Sequence, residues 1–116
     1  MQIAKKYSFN SHNLHSIRHW EKQNLPHYGK EVGYLLFLEL ATFNGIKSEA
    51  LKAFYLSMPC AESTVRLLLR KLENDGWIQV IKFEKDKRMR NFKLTDQFLI
   101  KRAEWLCVIE NILLEH

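Results

Sequence analysis

Residues 62–75, with the glycine at 76, limit the folds open to this chain more than any other stretch. Val65, Leu68, Leu69 and Leu72 recur at the i, i+3, i+4, i+7 spacing of a helix with one buried face. At about 100° per residue, the opposite stripe carries Ser63, Arg66, Leu67 and Arg70. The spacing predicts a helix that shows water two arginines and a hydroxyl, with a basic segment directly behind it.

The neighbours of this helix are as informative as the helix. Ser48 is placed to cap a short helix over residues 49–55, with Leu51 and Phe54 facing inward. Residues 56–59 form a turn, and Pro59 suits the first turn of the next helix because its missing N–H is unneeded there. A short helix, a tight turn and a second helix make a helix-turn-helix. After Gly76, residues 77–83 are rich in β-branched and aromatic side chains and predict a strand. Residues 84–88 are all charged and predict a loop. Residues 89–94 alternate, with Phe92 and Leu94 on one face and Asn91 and Lys93 on the other. The unit is a hairpin with a basic tip.

Helices are expected on both flanks. Residues 11–23 predict a first helix capped by Ser11, with a weak apolar stripe of Leu14, Ile17 and Trp20. His12, His15 and His19 share a face, and His15 and His19 can reach one ion from successive turns. No Cys or carboxylate with ligand spacing completes that set, so a polar stripe facing water or a subunit is the better reading. Residues 24–27 interrupt the pattern at Pro26. Residues 28–43 are apolar nearly all round and predict a central core helix, ended by Asn44-Gly45. Thr95-Asp96 caps a last helix over about residues 97–114. Its apolar stripe is Leu99, Ile100, Ala103, Leu106, Cys107, Ile109, Ile112 and Leu113.

The chain has 116 residues, 47% of them hydrophobic, which suits one domain with a real core. The expected architecture is mainly α with a small β-hairpin wing: a winged helix-turn-helix over residues 28–95, a helical extension at 11–25 and a C-terminal helix at 96–114. The longest apolar run, residues 34–38, is too short to span a bilayer, and no apolar segment follows Lys5 and Lys6 as a secretory signal requires. A cytoplasmic protein with no membrane partner is expected. Cys60 and Cys107 lie far apart with no C-x-x-C spacing, and two buried free thiols are expected.

The net charge of +5 is unevenly spread. Residues 1–60 carry seven Lys/Arg against four Asp/Glu, residues 61–95 nine against five, and residues 96–116 two against four. A local excess of this kind suits a phosphate-facing surface better than a uniform solubility coat. Catalysis has no motif behind it: there are no paired carboxylates in a plausible pocket, no Gly-rich phosphate loop, no G-x-S-x-G and no triad. No enzyme activity and no cofactor are expected. Two readings stay open. One is a DNA-binding regulator, and the other is a winged helix that serves as a protein-interaction module in a replication, partition or transcription complex.

Residues 33–95 resemble the winged helix of MarR-type transcriptional regulators. The likeness rests on Ser63-Thr64-Val65, Leu68-Leu69, Leu72-Glu73, Gly76-Trp77-Ile78, Asp86-x-Arg88 and Leu94-Thr95, in that order and spacing. The resemblance implies that the second helix of the pair lies in the major groove. It implies that Arg88 reaches the minor groove or its phosphates, that Asp86 helps hold the wing, and that the terminal helices interlock two subunits. Ser63, Thr64, Arg66 and Arg70 would then face double-stranded DNA from the helix, and Lys87 and Arg88 from the wing. Lys71, Lys85 and Arg90 join them as neighbouring cations. Leu67 would touch either a thymine methyl or the adjacent helix.

The chain also departs from that family. Ala61 stands where a small hydroxyl usually caps the recognition helix, so the helix is expected to begin nearer Pro59. Leu67 occupies a usually polar place, and only one helix follows Thr95. A homodimer through the terminal helices would set two recognition helices roughly 34 Å apart, one DNA turn, over an inverted repeat. Trp20, Tyr28 and Tyr34 are candidates to line a pocket for an unidentified small-molecule effector, although aromatics at a helix junction are more often core.

Overall fold

The computed structural model describes residues 6–86 and 88–114. Its order is α1 (Ser11–Asn24), α2 (Glu31–Phe43), a 3-10 turn (Ser48–Ala50), α3 (Leu51–Ser57), α4 (Glu62–Asn74), β1 (Ile78–Lys82), β2 (Arg90–Leu94) and α5 (Asp96–Leu113). This is the mainly helical winged helix-turn-helix that the sequence predicts, with a terminal helix on each side.

The core forms where α2, α4, the hairpin and α5 each contribute a carbon face. Phe37, Leu40, Val65, Leu68 and Phe98 are fully buried, and Leu36, Leu69, Leu72 and Ile78 nearly so. Phe37 stacks on Phe98 with ring centroids 4.1 Å apart, and Trp77 meets Phe37 edge-on at 5.7 Å. The hairpin is antiparallel in the register Ile78↔Leu94, Val80↔Phe92, Lys82↔Arg90. That register turns Ile78, Phe92 and Leu94 inward together.

Several local expectations are corrected. Asn10, not Ser11, caps α1: its side chain accepts the Asn13 N–H at 2.9 Å, while Ser11 already lies in the helix. The second helix starts at Glu31, not at residue 28, because Tyr28 (φ 56°) and Gly29 (φ 73°) are both left-handed. The Tyr28 hydroxyl donates to Asp75 Oδ2 at 2.7 Å, which ties this turn to the end of α4. Nor is α2 buried all round: Leu38 and Phe43 are exposed. Asn44 takes the left-handed cap that closes it, with Gly45 following at φ 102°.

Ser48 does not cap α3. Its hydroxyl accepts the Arg90 N–H at 3.2 Å, and its own N–H donates to Asn91 Oδ1 at 2.8 Å. Beside it, Ile46 pairs with Phe92 in an isolated antiparallel bridge next to the two-stranded sheet. Gly45 allows this approach, since a Cβ there would collide with the Phe92 carbonyl oxygen. Helix α4 begins at Glu62, not near Pro59: Ala61 is extended, and its carbonyl accepts the Thr64 and Val65 N–H groups at 3.0 and 3.3 Å.

The last helix is capped by Thr95, as expected. Its apolar stripe lies mostly outside the core of this chain. Phe98 and Trp105 enter the core, while Leu99, Ile100, Ala103, Leu106 and Cys107 face outward and Ile109 packs at the core margin. The expected burial of both thiols fails with it: Cys107 is exposed and Cys60 only half-buried. Helix α1 packs along α5 and buries no residue completely; Trp105 Nε1 donates to Glu21 Oε2 at 2.9 Å between them.

Two outcomes follow. Phe37→Ala should cost roughly 3–5 kcal/mol in denaturant unfolding, the usual range for removing a buried ring. Burial, followed by the hydrogen bond and charge of Asp75, holds the Tyr28 phenol well above its ordinary value of 10.0. A group raised in the folded state favours the neutral form, so its contribution is complete below pH 10.0 and is lost as pH rises above it. Tyr28→Phe should therefore flatten the alkaline limb of a stability–pH profile; an unchanged limb would exclude this role.

Candidate nucleic-acid interface

Helix α4 has one buried face, Val65, Leu68, Leu69 and Leu72. Ser63, Arg66, Leu67 and Arg70 are exposed on the other side, with Leu67 42% accessible. Among the described residues, no other element buries this ridge. The hairpin projects beside it, and between them runs a groove of about 800 Å³. Arg66, Arg70 and Glu73 line it from α4, Tyr55 from α3, and Lys82, Arg88 and Arg90 from the hairpin. The fold thus gathers four arginines and a lysine against one carboxylate around a single concavity.

The arginines are held differently. Arg66 lies 3.2 Å from Glu62 Oε2, with its guanidinium 5.5 Å from the Tyr55 ring centre. Both members of that ion pair are more than half exposed, so it aims the side chain more than it stabilises the fold. Burial raises the Tyr55 phenol above its usual value, and the charge of Arg66 pulls the other way. Arg70 forms no ion pair among the described residues. Arg88 is almost wholly exposed, yet its backbone N–H donates to Asp86 Oδ1 at 3.0 Å. The Asp86 carbonyl accepts the Met89 N–H at 3.0 Å, so this aspartate shapes the tip from both sides.

The remaining expected residues are scattered. Ser63 and Leu67 sit on the outer face of α4, outside the groove. Thr64 is half-buried on the far flank, and Lys71, also half-buried, has its ammonium 5.5 Å from the Tyr28 ring centre. Lys85 is exposed on the hairpin loop and does not line the groove. Lys87 lies outside the described residues. Lys82, left out of the expected set, enters because it pairs in register with Arg90. Tyr55 enters because α3 crosses beneath Arg66; no spacing in the sequence links the two.

The other sequence candidates resolve into structure. Tyr34 is buried between His27, stacked at 4.4 Å, and the Arg18 guanidinium at 3.8 Å. Trp20 packs against the core, and Tyr28 holds Asp75, so the three aromatics build the α1–α2 junction and line none of the described cavities. Among the described residues, no group of three His, Cys, Asp or Glu is placed to hold a metal ion. No described helix is long and apolar enough to cross a membrane.

No protein-family model matches this chain, and no curated protein matches it in sequence. Solved structures do match its shape. The chain is similar to reduced AbfR bound to DNA, at 21% identity over 86% of this chain and 72% of that one, with a TM-score of 0.58. It is similar to MarR at 23% identity, over 88% of this chain and 73% of that one, with a TM-score of 0.59. It is also similar to the transcriptional repressor CouR bound to a 23-mer DNA duplex, at 14% identity, 84% and 65% coverage and a TM-score of 0.61. At these identities the likeness is one of fold, and it agrees with the order of elements described above: the chain has the winged helix-turn-helix fold of the MarR-type regulators.

Proposed function

We propose that this protein is a sequence-specific, double-stranded DNA-binding transcriptional regulator. The observation that carries the reading is the groove between α4 and the hairpin, where Arg66, Arg70, Lys82, Arg88 and Arg90 converge. A concave cationic surface of this size matches a phosphate backbone better than it matches any apolar partner. In this reading α4 enters the major groove. Arg70, free of any carboxylate among the described residues and beside the outer face, is the arginine for guanine O6 and N7. Arg66, steadied by Glu62 and Tyr55, holds phosphate. Arg88 reaches the neighbouring minor groove or its backbone from the wing tip. AbfR and CouR, which share the fold, are described bound to DNA, and this supports the same use of the surface here.

The exposed apolar side chains of α5, Ile100 at 64% and Leu106 at 63%, supply a face for a second copy. Pairing across a two-fold axis would put two α4 helices over an inverted repeat.

The reading is tested by electrophoretic mobility shift with genomic fragments. Arg66→Ala with Arg70→Ala should weaken specific binding by on the order of tenfold or more, with the helical circular dichroism signal unchanged. If a dimer neutralises about eight phosphates, the logarithm of affinity should fall against the logarithm of salt with a slope near −7. A winged helix that serves only to bind another protein would give no shift and no salt slope, and that result would overturn the proposal.

A further inference from the structure

The outer face of α4 is polar but for one side chain. Of the exposed residues of this helix, all of them described, Leu67 alone is apolar; the rest are glutamate, serine, arginine and asparagine. Leu67 is 42% accessible and belongs neither to the core nor to the half-buried side chains packed around it. The sequence leaves two contacts open to it, a thymine methyl or the adjacent helix. The adjacent helix does not bury it.

Its surroundings narrow the choice of partner. Ser63 stands one turn before it and Arg70 just short of one turn after it, both exposed on the same ridge. The exposed apolar side chains of α5 have company, since Leu99, Ile100, Ala103 and Leu106 share a face. Leu67 has none. A protein surface that covered it would also cover Ser63, Arg66 and Arg70, and would have to pair each of them. The floor of a DNA major groove suits the mixture better. Hydrogen-bonding edges line it, and the thymine C5-methyl is the one methyl group that the four standard bases present there.

We propose that Leu67 is a specificity-determining residue that seats on the C5-methyl of a thymine, close to the guanine held by Arg70. The assignment rests on the DNA-binding reading given above. Three residues advance an α-helix by about 4.5 Å, and a base-pair step is about 3.4 Å. For a helix lying along the groove, the thymine therefore falls within about one or two steps of that guanine. The preference has two sources. Contact with the methyl removes carbon surface from water on both partners. Against any other base edge, the leucine would cover a donor or acceptor that it cannot pair, and that group would lose its water.

The test starts from a duplex that the full chain selects from a randomised DNA pool. Each thymine is replaced in turn by deoxyuridine, which pairs as thymine does but lacks the methyl, and affinity is read by mobility shift. At least one replacement should weaken binding by about fourfold, the worth of one buried carbon group. Leu67→Ala should bind the thymine duplex more weakly by about the same factor and should bind the thymine and uracil duplexes alike. Alanine is the best helix former, and the position is exposed, so this variant keeps the fold. Arg70→Ala should also bind more weakly, yet retain the uracil penalty, because its loss concerns guanine. A merely structural role for Leu67 would lower affinity without erasing the difference between the two bases. A flat uracil scan, or a penalty undiminished in Leu67→Ala at every position, would overturn the assignment and leave the DNA-binding reading standing. If the pool yields no enriched duplex, both are overturned.

Discussion

The stack of Phe37 on Phe98 is the contact on which the arrangement of this protein depends. It joins the middle of α2 to the first turn of α5, with Trp77 edge-on to both rings and Trp105 5.8 Å from Phe37. Offset and edge-to-face rings add about 0.5–1.5 kcal/mol each beyond the area they bury. More important here is geometry: four flat side chains from α2, the start of β1 and α5 allow few relative orientations. Once α5 is set, Trp105 places α1 through Glu21, and Arg18 places it again through Tyr34 and Glu31. The terminal helices are therefore docked on the winged helix by polar contacts around an aromatic centre.

The second joint fixes the hairpin. A two-stranded hairpin is marginal in water when it stands alone. Here Ile46 bridges to Phe92, and Ser48 donates its N–H to Asn91 Oδ1 while its hydroxyl accepts the Arg90 N–H. Gly45 lets the two backbones meet. The base of the wing is thus part of the core, while its tip carries Arg88 into solvent on a turn shaped by Asp86. The same joint borders the cationic groove against α3 and α4 on one side, and on the other a more apolar hollow against α3 and the end of α2. Strand alternation separates the two sides: Val80, Lys82 and Arg90 face the cationic groove, Ile81, Asn91 and Lys93 face the other way, and Phe92 borders both.

Much of this was legible in the residues. The period of Val65, Leu68, Leu69 and Leu72 names both faces of α4, and the alternation of Phe92 and Leu94 names the inner face of β2. Both signals are strong because each element has only one apolar face. Helix α5 carries apolar residues on two faces, and periodicity cannot say which is buried. The stripe of eight residues is mostly outward, and the core is reached instead by Phe98, stacked on Phe37, and Trp105. Caps were less legible than elements. Ser11 and Ser48 have the right chemistry for a cap, but Asn10 sits one residue better placed and Ser48 is claimed by the hairpin.

The cationic groove divides in the same way. That residues 61–95 hold a local excess of basic side chains, on a helix and on a hairpin, is a property of the chain and needs no coordinates. Which of those side chains share one space is not. Arg66, Arg70, Arg88 and Arg90 converge, Lys71 turns to Tyr28, and Tyr55 arrives beneath Arg66 from a helix eleven residues upstream. Helical and strand periods are local rules, set by backbone geometry, and they fix which face a residue lies on. The distance between faces of different elements depends on how bulky side chains pack between them, and that is settled only when the whole core closes.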